Sequence, residues 1–95
     1  MLGNIEVSLP LQIIKQGDKY VAYTPAFDLS TSADSVEQAQ KRFGEIVNIF
    51  IEELIEAGTL EEVLRELGWQ KQSKTWQPPQ IIAQKNFDVK IPAMA

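Results

Sequence analysis

The sequence predicts an α+β domain: a three-stranded antiparallel sheet packed on one long helix, with a short second helix and a C-terminal strand. Three observations carry this reading. From Ser35 to Ala57, Val36, Ala39, Phe43, Ile46, Val47, Phe50, Ile51, Leu54 and Ile55 recur at three- and four-residue steps. That spacing places them on one face of a helix of about six turns. Before it run three β-rich segments divided by turn residues, and after it come a second capped apolar run and an alternating tail. An apolar stripe of this length needs cover, and the strands on either side are its candidates.

Residues 4–16 alternate first. Ile5, Val7, Leu9, Leu11 and Ile13 are set against Glu6, Ser8 and Gln12, the period of a half-buried strand. Pro10 cannot donate to a ladder, so it divides an N-terminal arm ending at Leu9 from a sheet strand over 11–15. Gly17-Asp18 supplies a tight turn. Lys19 to Thr24 is rich in β-formers and makes a hairpin with the strand before it. Pro25 ends it, and Phe27 is expected under the loop that follows. Leu29 to Ala33 is a third strand, with Leu29, Thr31 and Ala33 on one side.

Ser35 caps the long helix, and Gln38 three residues on completes a capping box. Gly58 ends it. Thr59 and Glu62 form a second capping-box pattern before a short helix faced by Leu60, Val63, Leu64 and Leu67, which stops at Gly68. Trp69 is expected to fold back onto the sheet or the helix junction. The sequence thus divides into a core over 1–69, a polar, proline-bearing connector over 70–80, and a strand-like extension over 81–95. In the extension Phe87, Val89 and Ile91 alternate with Asp88 and Lys90 before Pro92. The arm reads the same way at Ile5, Val7 and Leu9 before Pro10. The two segments are either strands that pair, within one chain or across a dimer, or two unrelated edges.

Ninety-five residues leave room for one core. The stripe of a chain this small gains from burial against a second copy, so a homo-oligomer is expected. The net charge is −4 and the pI about 4.7, with scattered lysines and arginines. A phosphate-gripping protein shows a basic patch, so direct DNA binding is not expected and a basic protein partner is. No histidine and no cysteine are present. The usual neutral-pH base, transition-metal ligand and thiolate nucleophile are therefore missing. The serines sit in no nucleophile elbow and the glycines never cluster around a phosphate. No enzyme activity, cofactor or metal is expected. No signal-like leader or membrane span is visible, so a soluble, cytoplasmic protein is expected.

Paired carboxylates remain. Glu52, Glu53 and Glu56 lie on the outer part of the long helix, with Glu61, Glu62 and Glu66 on the next. They read as a solvated acidic face or as a docking surface that steers a basic partner. Trp69 and Trp76 read either as interface anchors or as pins that hold the connector to its own domain. Tyr20, Tyr23 and Phe27 cover the helix or a dimer interface, or they offer a stacking face for a small ligand or RNA.

From Leu11 to Ala57 the order of features resembles the HicB-like antitoxin family. Tyr20, Ala22 and Pro25 match its gly-tyr-x-ala-x-x-pro strand, and Asp34, Glu37 and Ala39 match its gly-asp-thr-x-glu-glu-ala helix start. The resemblance covers about half the chain. It implies a double-stranded-RNA-binding-like or partial ribonuclease-H-like sheet on one helix. It also implies an antitoxin that docks on a small basic mRNA-cleaving toxin and blocks it. Ala26-Phe27-Asp28 departs from the family's loop, which contains a gly-cys pair. The tail carries no basic helix, so the family's DNA-binding half does not carry over. The other reading is a self-associating module with no toxin partner.

Overall fold

The computed structural model describes residues 6–93. Three strands, β1 (Gln12–Gln16), β2 (Lys19–Thr24) and β3 (Leu29–Ala33), form an antiparallel sheet in the order β1-β2-β3. The register sets Ile13, Ala22 and Thr31 in one row and Ile14, Val21 and Ser32 in the next. With a side-chain period of two, these rows face opposite sides of the sheet. Gly17 takes a φ of 61° in the two-residue turn between β1 and β2.

Helix α1 (Val36–Ala57) starts and stops on its sequence signals. Ser35 is extended, and its hydroxyl accepts from the Gln38 N–H at 3.1 Å, the Ser35 half of the capping box. Gly58 ends the helix at a φ of 72°, with its N–H on Ile55 O and that of Thr59 on Leu54 O. This is a Schellman arrangement. It explains why the second capping box does not form. Thr59 is fixed by the end of α1 at φ −115° and ψ 10° and makes no side-chain cap for α2 (Leu60–Glu66). An N-cap needs an extended backbone to aim its hydroxyl at the first turn.

Helix α1 packs across β2 and β3. The Arg42 guanidinium donates to Ser32 O at 2.9 Å, and Lys19 pairs with Asp34 at the start of the helix. Two buried clusters result. Ala22, Ala33, Ala39 and Phe43 form the first, with Ile13, Tyr20, Ile46 and Val47 against it. Ala26, Phe27, Leu64 and Trp69 form the second, with Leu9, Phe50, Ile51, Leu60 and Trp76 among those around it. Val47 touches both. Phe27 lies under its loop as predicted, 5.2 Å from the Trp69 ring in a stacked pair and 5.3 Å from Phe50.

The connector reading over 70–80 is corrected. Gln70–Gln72 and Thr75–Gln77 pair as a short antiparallel hairpin, β4 and β5, turning through Ser73 at a φ of 56°. Lys71 binds Glu61 at 2.9 Å and so ties the hairpin to α2. The strand-like extension also differs from expectation within the chain. Residues 78–93 form neither helix nor strand, and among the described residues Phe87–Ile91 pair with nothing. Ladder hydrogen bonds need a neighbouring edge, and the segment runs off the body instead of along one. No helix among the described residues is long and apolar enough to cross a membrane.

Candidate protein-binding surface

The α1–α2 junction is where the acidic residues and uncovered apolar side chains meet. The Schellman turn at Gly58 joins the two helices, which are in contact. A groove of about 370 Å³ opens there, lined by Leu54, Ile55, Gly58, Leu60 and Glu61. Ile55 is 55% exposed although it belongs to the apolar stripe. The sheet reaches only the first half of that stripe, so Ala39 and Phe43 are buried while the C-terminal turns are not.

Along the sequence that leads into and out of this junction the charge is of one sign. No lysine or arginine occurs from Phe43 to Leu64, whereas Glu45, Glu52, Glu53, Glu56, Glu61 and Glu62 do. Glu52, Glu53 and Glu56 are exposed and form no ion pair among the described residues. Glu61 is engaged: the hydrogen bond from Lys71 and then that ammonium's charge hold its carboxyl below the usual value. An apolar groove at the end of a helix that also carries free carboxylates suits a partner with an apolar anchor set among basic residues.

The two tryptophans part company. Trp69 is 5% exposed, stacks on Phe27 and donates its indole N–H to Ala26 O at 2.8 Å. It pins the chain after α2 to the β2–β3 loop and belongs to the core. Trp76 is half-buried against the same cluster, with the Arg65 guanidinium 5.3 Å and the Lys71 ammonium 5.7 Å from its ring centre. The Arg65 contact holds the β4–β5 hairpin to α2, and the Lys71 contact lies within the hairpin.

The arm and tail residues lie elsewhere. Leu9 is half-buried against the second cluster, and Val7 is 40% exposed. Glu6, Val7 and Ser8 share a cleft of about 340 Å³ with Thr75, Trp76 and Gln77. Ile5 lies outside the described residues. Phe87, Val89 and Ile91 are 87%, 68% and 81% exposed. Sequence reasoning missed Arg65 and Lys71 as partners of Trp76. Their positions depend on the hairpin, which no apolar alternation announced.

On the open sheet face, Tyr23 donates to Asp28 Oδ1 at 3.0 Å. That bond, with lesser help from burial and the Asp28 charge, raises the Tyr23 pKa. Asp28 sits at a φ of 51°, a left-handed position that aspartate tolerates better than most residues. Thr24, fully buried, accepts from the Ala26 N–H at 3.2 Å. These contacts shape the β2–β3 loop; none sets up a nucleophile or an acid–base pair. No family model, curated protein or solved structure matches the chain.

Proposed function

We propose that the chain is a non-catalytic protein-binding module whose α1–α2 end docks a small basic protein. One observation carries this reading: an apolar groove at Leu54, Ile55 and Leu60 at the end of a helix that also carries the exposed carboxylates of Glu52, Glu53 and Glu56, unpaired among the described residues. The partner that the HicB-like resemblance implies is an mRNA-cleaving toxin, and the module then acts as its antitoxin by covering it. Such a nuclease needs positive charge to hold RNA. An acidic surface therefore steers onto the same region that the substrate would use.

The test is functional. The tagged chain is drawn from its native lysate and the co-eluting protein separated from it. The reading expects a small basic protein in stoichiometric amount that cleaves mRNA when alone and stops when the chain is returned. A partner that is acidic, or a nuclease that the chain leaves active, overturns it.

A further inference from the structure

The tail from Pro78 onward contributes no residue to the α1–α2 groove, and what it shows is independent of the proposed docking surface. Its large side chains are the most exposed apolar groups among the described residues: Ile82 at 90%, Phe87 at 87%, Ile91 at 81% and Val89 at 68%. Isolated exposed apolar residues are ordinary, but an alternating set in one extended segment is the pattern of a strand with one face to bury. The chain's radius of gyration is 16.6 Å, against about 12 Å for a compact chain of its length. Its longest extent is 62 Å. Pro78 and Pro79 set the direction of departure. Both are half-buried, and Pro79 lies against Gly68, where an added Cβ would stand 3.9 Å from it. Two successive prolines are stiff, so the tail leads away from its own sheet.

The sheet, in turn, has two edges that are unpaired among the described residues. On β3 the Arg42 side chain occupies Ser32 O, and α1 lies over β2 and β3. The β1 edge is the open one, with Leu11 and Ile14 exposed to 38% and 42% beside it. One chain therefore carries both halves of a joint: a strand without a sheet and an edge without a strand. We propose that Phe87–Ile91 of one chain adds as a fourth strand to the β1 edge of a second copy, which returns its own tail. The exchange is reciprocal, so it closes into a two-fold dimer with no strand left over.

The chain has no cysteine, so introduced thiols report without background. Chains bearing Ile14→Cys are mixed with chains bearing Val89→Cys and treated with a short bis-maleimide. The expected product is a cross-linked pair of two chains, formed about tenfold faster than from Lys41→Cys with Val89→Cys, because pairing raises the effective concentration. Sedimentation completes the test. Successive residues of a strand direct their N–H groups to opposite sides, so one of Val89→Pro and Lys90→Pro must strike the ladder. The full chain should sediment as a dimer and that proline variant as a monomer. Both positions lie outside the folded body, so the helical signal in the far-ultraviolet spectrum should not change. A full chain that stays monomeric into the millimolar range overturns the proposal. So does a dimer indifferent to both prolines, or a tail-dependent dimer that gives no 14–89 product.

Discussion

At the scale of single residues, the clearest lesson is that one substitution has opposite signs at two glycines. Gly44 lies in the middle of α1 with open space where a Cβ would go. Gly44→Ala should stabilise the chain by roughly 0.5–1 kcal/mol, since alanine loses less backbone freedom in a helix. Gly58 also has room, but its φ of 72° is left-handed. Gly58→Ala should cost about 1–2 kcal/mol. Thermal melts of the two variants check both signs. Trp69 supplies a second prediction. Trp69→Phe keeps a ring on Phe27 but leaves the carbonyl of fully buried Ala26 without its donor. The expected loss is about 1–3 kcal/mol, read as a lower urea midpoint. The place of Trp69 at the helix junction was legible in the sequence. Its bond to Ala26 was not, because a contact across 43 residues leaves no local pattern.

At the scale of elements, whatever rests on local chemistry was legible. The α1 boundaries follow from Ser35 and Gly58, and the β1–β2 hairpin from Gly17-Asp18 and the β-formers around it. The β4–β5 hairpin was not legible. Its residues, Gln70 to Gln77, carry one large apolar side chain, and it owes its place to Trp76 against Arg65 and Lys71 against Glu61. The Thr59 cap failed for the converse reason: a local signal was overridden by the neighbouring helix end. The join between sheet and helix should show itself in acid. The hydrogen bond from Lys19, then its charge, with Arg42 adding a little, hold the Asp34 carboxyl below its ordinary value. A depressed carboxyl stabilises the fold fully above its unfolded pKa, and that contribution fades as pH falls through the folded one. Asp34→Asn should therefore be less stable than the unaltered chain at neutral pH. The gap should close as pH drops below the usual carboxylate range. Urea midpoints across that range check it, and a gap that does not change with pH contradicts it.

At the scale of the whole molecule, charge and uncovered apolar surface outline the binding account. The acidic run from Glu45 to Glu62 was legible as a charged face, but its groove was not. The groove exists because a three-stranded sheet covers only part of the α1 stripe, which leaves Ile55 at the surface. Reversing Glu52, Glu53 and Glu56 to lysine should slow association with a basic partner about tenfold at low salt and flatten its salt dependence. Stopped-flow mixing at several ionic strengths reads this directly. Those three positions are exposed, so the fold should tolerate the change. The same balance of surface against size motivates the strand exchange: the tail's apolar side chains find no cover on their own body.

The most direct measurement compares two baits, the tagged chain and its Glu52→Lys, Glu53→Lys, Glu56→Lys variant, each drawn from the native lysate and weighed intact by mass spectrometry. The account predicts that the unaltered bait elutes with a small basic protein in fixed ratio and that the variant elutes without it, both baits showing the same far-ultraviolet spectrum. A bait that elutes only with copies of itself, or a basic partner retained equally by both, would contradict it.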